Sequence, residues 1–293
     1  MKPKIVLITG FGRSGSSLIN MLISKRINSV DVGELRFLYE RGYINNERCS
    51  CNDYFRECNF WDGVIKKIPV DDPFEYSLLS KKTQRNRSFF TSYFNWFSED
   101  DEKYIGKEKK LIDSILNNSS SRHVILDSSK VPVRACLYYK LREHYDVKIL
   151  HVLRDPRAVS YSWSKDVPRP ETDNKENMHK FSYLESSLLW VGVNFLSRLL
   201  SFKYKDDYKM IIYEDLCKNP VSVMDSVESF IFPGGNDSLN NSVFHSISGN
   251  PMRFVDNVDI KLDENWKKNT TKFKNIIPSV IALPYYYYIK VKN

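Results

Sequence analysis

Between the apolar run Lys4–Thr9 and a helical pattern opening near Ser16, the chain reads Gly10-Phe11-Gly12-Arg13-Ser14-Gly15-Ser16-Ser17. These residue types share one competence, the holding of an anion. Glycines permit positive φ and close approach of backbone N–H groups. A helix start adds further unpaired N–H groups and the positive end of the helix dipole. Arg13 contributes a charge and the serines contribute hydroxyl donors. An ordinary strand-to-helix turn with incidental glycines is the bland alternative. A phosphate site accounts better for the whole set, so Gly12, Arg13, Ser14, Gly15, Ser16 and Ser17 are candidate binding residues.

The spacing of Gly10 and Gly15 is that of the nucleoside-triphosphate loop G-x-x-x-x-G-K-[ST]. Here Ser16 stands where that loop has its lysine, and the positive charge sits inside the loop at Arg13. Such a loop is poorly equipped for a triphosphate and its metal. It suits a single 5′-phosphate bearing one further anionic group. A second segment, His151-Val152-Leu153-Arg154-Asp155-Pro156, is again strand, turn and helix start. Arg154 falls at the strand end and Ser162 about two helical turns on. An arginine fork with a hydroxyl suits a terminal phosphate dianion. A strand-end ion pair with an acid such as Asp155 is the other reading of Arg154.

The elements that must position these residues alternate in type. Lys4–Thr9, Asn28–Val32, 123–126, Val147–Leu153 and Lys209–Tyr213 read as short buried strands, rich in β-branched residues. Helical patterns cover Glu34–Glu40, Pro132–His144, Arg157–Ser164, Ser182–Phe202, Pro220–Ile231, Asp263–Lys268 and Phe273–Leu283. This alternation predicts an α/β fold, with ligands bound at the carboxyl ends of the strands. Phe89, Phe90, Tyr93, Phe94, Trp96 and Phe97 have spacing compatible with one apolar helix face. Asp166–Lys180, polar and with two prolines, reads as a mobile loop. Residues 233–250 read as loop.

The 293 residues carry 42% apolar and 27% charged side chains, as a soluble globular protein does. A formal net charge of +8 suits a multiply anionic ligand. Nucleic acid is not expected as a partner, since dense Lys/Arg tracts, zinc-finger spacing and RNA-recognition aromatics are missing. With the first strand opening at Lys4 and no long apolar run, neither a signal peptide nor an integral membrane segment is expected, and the expected location is cytoplasmic. Five cysteines then default to reduced thiols. Cys49, Cys51 and Cys58 lie close in sequence, but a closed zinc site takes four ligands, usually with C-x₂₋₄-C spacing. No suitable fourth ligand lies near, so the trio reads as a structural cluster and no metal is expected.

The opening loop resembles the 5′-phosphosulfate loop of sulfotransferases that use 3′-phosphoadenosine 5′-phosphosulfate (PAPS). Arg154 and Ser162 resemble that family's 3′-phosphate motif in type and spacing. Ile212-Tyr213-Glu214-Asp215-Leu216 is similar to its Tyr-Glu-Asp-Leu segment, which implies adenine contact for Tyr213. Ser248-Gly249-Asn250-Pro251-Met252-Arg253 is similar to its late phosphate loop, which makes Arg253 a candidate second phosphate arginine. Glu264-Asn265-Trp266-Lys267 resembles a late packing segment. Gly33-Glu34-Leu35-Arg36 looks like the region of the catalytic glutamate in tyrosylprotein and carbohydrate sulfotransferases. This implies a general base at Glu34, with Arg36 positioning the acceptor. Lys130, two residues before Pro132, resembles a lysine that supplies transition-state charge beside Arg13. His123 and His245 are alternative bases without a motif, and His151 reads as core.

The resemblance runs from residue 5 to about 268 and implies one sulfotransferase domain over 1–293. It is expected to have a P-loop-like central parallel β-sheet flanked by helices on both faces, and acceptor-binding insertions at about 40–120 and 165–182. It implies PAPS as co-substrate without metal, and a hydroxyl acceptor that is a carbohydrate, small molecule or peptide. The alternatives are a P-loop kinase of a small alcohol and a non-catalytic nucleotide-binding protein. Oligomeric state is not readable.

Overall fold

A computed structural model describes residues 2–68, 72–119, 124–173, 175–235, 242–254 and 260–292. Its centre is a six-stranded sheet of β1 (Lys4–Thr9), β2 (Val30–Gly33), β3 (Val124–Lys130), β4 (Asp146–Leu153), β5 (Tyr208–Ile212) and β6 (Val243–Ile247). The spatial order is β5-β4-β1-β3-β2-β6, and every pairing is parallel. Parallel strands need crossovers, so helices cover both faces. In β1, Ile5 and Leu7 face one apolar cluster while Val6 and Ile8 face another. The first cluster takes in Trp61, Ile112 and Leu137 from the helices Asn59–Ile65, Glu99–Asn117 and Pro132–Tyr139. The second takes Ile19 and Val227 from the helices Ser16–Ser24 and Pro220–Ile231. Each such side chain, fully buried, contributes about 1.5–3 kcal/mol of transfer free energy.

Helix starts follow local chemistry. Ser98 with Asp101 and Ser182 with Glu185 form reciprocal capping boxes. Pro132, Pro156 and Pro220 each open a helix, where the missing N–H costs nothing.

Five features depart from the sequence reading. β6 falls inside the stretch read as loop, because a five-residue, half-exposed edge strand among Asn and Ser carries little periodic signal. The helix Leu283–Val291 was not expected; it docks Tyr286 and Ile289 beside Trp190. β3 runs on through Asp127, Ser128 and Ser129 to Lys130, polar residues buried by the sheet itself. The aromatic run does not share one face: within the helix Phe89–Tyr93, Phe89 is buried and Phe90 exposed, and Phe94 and Trp96 are exposed beyond its end. The loop 166–180 is tied down. Pro168 bridges to Asn177, Arg169 pairs with Glu47 at 2.6 Å, and Asp173 accepts from Arg48 at 2.7 Å and Tyr54 at 2.9 Å.

Irregularities gather at the carboxyl ends of the strands. The register of β1 on β3 shifts between Leu7 and Thr9. That of β2 on both neighbours shifts between Asp31 and Gly33. Bulges of this kind re-aim the side chains that follow them.

Candidate active site

All six strands end at one cavity of about 1050 Å³. Its lining includes Gly10 after β1, Glu34 after β2, Lys130 at the end of β3, Arg154 after β4, Tyr213 after β5 and Ser248 after β6. Nine Lys and Arg side chains line it against two carboxylates, Glu34 and Asp263. A cavity so charged, with low-dielectric walls, selects an anion. Backbone strain points to the same place. Of the non-glycine residues with positive φ among the described residues, four are Asn or Asp, which tolerate that region. The other three, Arg13 (66°), Lys130 (67°) and Ser248 (59°), all line the cavity. Strain of this sort, about 1–3 kcal/mol each, clusters at ligand sites.

The loop after β1 is shaped by two glycines. Gly10 has φ 117° and a Cβ there would meet the Val152 carbonyl oxygen at 2.5 Å; Gly15 has φ 96° and a Cβ would meet the Tyr213 ring at 2.5 Å. Gly15 leads directly into the helix at Ser16. Trp163 Nε1 donates to the Gly12 carbonyl at 3.0 Å, and its ring lies 5.2 Å from the Arg13 guanidinium. Arg13 donates to Met178 Sδ at 2.8 Å, a weak acceptor for a cation. Burial pushes this guanidinium down from its ordinary value, with Glu34 and Glu171 acting the other way. Buried polar atoms without a partner include Arg13 Nε, Ser14 Oγ and Arg154 Nε. Natively buried polar groups are nearly always bonded, so the unused Nε atoms of Arg13 and Arg154 are spare capacity at the cavity, whereas Ser14 is buried and not part of its lining. Ser16 and Ser17 also line the cavity.

Arg154 donates to the Arg13 carbonyl at 3.0 Å, pairs with Asp263 at 3.1 Å and stacks 4.4 Å from the Tyr213 ring. Its acidic partner is therefore Asp263; the neighbouring Asp155 is taken by Arg157 at 2.6 Å. Ser162, on the helix Pro156–Trp163, lines the same cavity. Tyr213 opens the helix Tyr213–Lys218, and burial pushes its phenol up to about 12. Arg253 departs from expectation and is not part of the lining. Its guanidinium turns behind the loop to the Ser246 carbonyl, to the Arg48 carbonyl at 3.3 Å and to Glu171 at 3.7 Å.

Glu34 and Lys130, read separately in the sequence, form an ion pair of 2.5 Å with both side chains mostly buried. Burial would push the Glu34 carboxyl up, but Lys130, Arg41 and Arg36 outweigh it and hold it below its ordinary value. Glu34 N–H donates to the Ile247 carbonyl at 2.8 Å, fixing the carboxylate against β6. Arg36 lines the cavity, with its backbone N–H on Ser129 Oγ at 3.1 Å. Sequence reasoning missed Arg41, which donates to Ser248 Oγ at 2.6 Å and lies 3.8 Å from buried Glu171. It also missed Trp163 and Asp263, which sit in no motif. The surrounding cations thus keep the Glu34 carboxylate in its ionised, proton-accepting form.

The histidines divide differently. His151 is buried in β4, bonded to Tyr208 at 2.6 Å and Asn194 at 2.9 Å, and burial lowers it to about 4. His123 lies outside the described residues. His245 is not in the cavity lining: it sits with Cys49, Cys51 and Cys58, which corrects the expectation that this trio has no fourth ligand-type neighbour. No helix among the described residues is long and apolar enough to cross a membrane.

Solved structures similar to this chain include the sulfotransferase domain from the Synechococcus PCC 7002 olefin synthase. It is 17% identical, with 96% of this chain and 95% of that one covered and a TM-score of 0.48. The sulfotransferase domain from the curacin biosynthetic pathway is 16% identical, with 96% and 98% covered and a TM-score of 0.48. A sulfotransferase from Alicyclobacillus acidocaldarius is 14% identical, with 94% of each chain covered and a TM-score of 0.38. No curated protein matches the sequence. The sequence profile of the sulfotransferase domain matches residues 3–275, nearly the whole chain, and the protein belongs to that family.

Proposed function

We propose that this sulfotransferase takes its sulfuryl group from PAPS and delivers it to a hydroxyl acceptor by in-line displacement. The observation that carries the reading is the pair of under-used arginine sites, Arg13 and Arg154, opening on one cavity that also holds Glu34 and Lys130. The donor set fits the nucleotide. Ser16, Ser17 and the N–H groups after Gly15 suit the 5′-phosphosulfate, while Arg154 and Ser162 suit the 3′-phosphate. Tyr213, stacked by Arg154, offers a flat surface beside both.

In this reading Glu34 accepts the acceptor's hydroxyl proton as the new O–S bond forms and the bond from sulfur to the phosphate oxygen breaks. The products are the sulfate ester and 3′-phosphoadenosine 5′-phosphate. Neutralising Glu34 frees the charge of Lys130, which then joins Arg13 in stabilising the sulfonate and bridging oxygens. The acceptor would meet residues from both expected insertions, since Lys81, Gln84 and Arg85 line the cavity from one and Met178 and His179 from the other.

The test is a thermal shift with adenosine 3′,5′-bisphosphate, ADP, and ATP with Mg²⁺. A ligand that binds the native state raises its midpoint. The bisphosphate is expected to give the largest rise; an equal or larger rise with Mg-ATP refutes the donor assignment.

A further inference from the structure

Cys49, Cys51, Cys58 and His245 present ligand atoms that all lie within 4.8 Å of one another. We propose that these four residues, none of which lines the cavity, bind one Zn²⁺ in a closed, structural Cys₃His site. Geometry carries the case. Cys51 and Cys58 sulfurs are 3.6 Å apart, and His245 Nδ1 is 3.3 Å from Cys58 Sγ and 3.7 Å from Cys49 Sγ. A tetrahedron with Zn–S bonds of about 2.3 Å and a Zn–N bond of about 2.0–2.1 Å has edges of roughly 3.8 Å between sulfurs and roughly 3.6 Å between sulfur and nitrogen. Three of the six edges are already within about 0.3 Å of these lengths, and the other three are under 4.8 Å.

The surroundings fix the ligands in place. The His245 ring stacks on Phe60, centroids 4.5 Å apart and planes 2° apart, which turns Nδ1 towards the thiols. Its backbone carbonyl accepts from Trp61 Nε1 at 2.9 Å. Ser50 and Ser246 exchange bonds between loop and strand, Ser246 N–H to Ser50 Oγ at 2.8 Å and Ser50 N–H to the Ser246 carbonyl at 3.2 Å. Cys49 and Cys58 are buried, and all three cysteines are free thiols. Three convergent thiols and an imidazole pack no better than apolar residues would, and thiols are poor hydrogen-bonding partners for one another. Coordination gives the cluster a physical purpose.

Binding is a plain exchange. Zn²⁺ forms three Zn–S bonds and one Zn–N bond, three thiol protons pass to solvent, and no electron moves. With four protein ligands, no position remains for water or substrate, which makes the site structural. It would pin β6, an edge strand, to the excursion that follows β2. That strand leads into the Ser248–Asn250 wall of the cavity, and Ile247 holds the Glu34 backbone. Cys-x-Cys spacing is unusual for zinc, and His245 lies 187 residues beyond Cys58, so only the fold assembles the set.

The experiment uses the untagged full chain, reduced and dialysed against metal-free buffer, with zinc measured by mass spectrometry. One equivalent per chain is expected, released when a mercurial modifies the thiols. Replacement by Co²⁺ should give the intense visible bands of a tetrahedral thiolate site. Cys58→Ser and His245→Ala should lower metal affinity by about tenfold or more; Cys217→Ser should leave it unchanged. A folded, reduced wild-type chain that takes up neither Zn²⁺ nor Co²⁺ overturns the proposal, as does full stoichiometry in Cys58→Ser. Should that variant fail to fold, the wild-type cobalt spectrum decides alone. None of these readouts depends on turnover, so the metal site and the transferase reading stand or fall separately.

Discussion

Two regions of this molecule bury arginine, and they bury it differently. Arg134, 1% exposed, spends every nitrogen within the fold. Its Nε meets Asp127 at 2.7 Å, one terminal nitrogen meets Tyr104 at 2.5 Å and Gln84 at 3.1 Å, and the other meets Glu108 at 2.7 Å as well as Tyr138. Burial pushes that guanidinium down, but Asp127 and Glu108 prevail and hold it well above its ordinary value. At the strand ends, Arg13 has a thioether for a partner, and Arg13 and Arg154 each keep an unbonded Nε. A saturated cation organises protein. Arg13 and Arg154, which line the cavity with a donor still unused, are where the proposed nucleotide would add its bonds.

The contrast breaks most visibly at Arg134. Arg134→Met strands Asp127 and Glu108 as buried charges and is expected to cost about 3–5 kcal/mol in urea unfolding; an unchanged midpoint denies the knot its structural role. Next comes Glu34→Gln, expected to lower kcat by about 10²–10⁴ while bisphosphate affinity holds. Normal turnover removes Glu34 as the base. Arg154→Ala should leave the unfolding midpoint nearly intact yet weaken the bisphosphate about 10–100-fold, the worth of a charge-assisted bond of roughly 1.5–3 kcal/mol. Calorimetry against the same nucleotide without its 3′-phosphate checks this, since the loss should vanish there.

The smallest effect is one of pH. Burial opposes ionisation of Glu34, while Lys130, Arg41 and Arg36 more than compensate, so its folded value lies below its ordinary one. The proposed base therefore stays ionised into mild acid. Its stabilising contribution is complete above the unfolded value and fades as pH falls through the lowered folded one. In Lys130→Met the acid limb of kcat/KM should move to higher pH. An unmoved limb means that the ion pair does not set the ionisation.

What could be read from the residues alone follows the same division. The Gly10–Gly15 loop, Arg154 and Glu34 each sit in a local strand-turn-helix grammar, where a few neighbouring residues dictate backbone shape. The structure brings Arg36, Lys130, Ser162 and Tyr213 to the cavity that those three line. The direction in which Arg253 turns is different in kind. It depends on Glu171 and the Arg48 carbonyl, both far away in the chain, and on the Ser246 carbonyl seven residues back. Arg41 and Asp263 were silent for the same reason. The 166–180 segment has the composition of a solvated loop, and only the long-range pairs of Arg169 with Glu47, Glu171 with Arg253 and Asp173 with Arg48 show how it is fastened. Short edge strands such as β6 carry too few residues for periodicity to declare them.

The strand order also has a consequence in time. β2 is finished by residue 33, yet its outer neighbour β6 begins at Val243, and residues 213 apart in the chain are joined there through Ser29 and Ser242. A ribosome releasing this protein therefore leaves one flank of the second strand unzipped until some two hundred further residues have emerged. That raw edge is an invitation to aggregate, and a chaperone's opportunity. Until β6 is added, the cavity would also lack its Ser248–Asn250 wall.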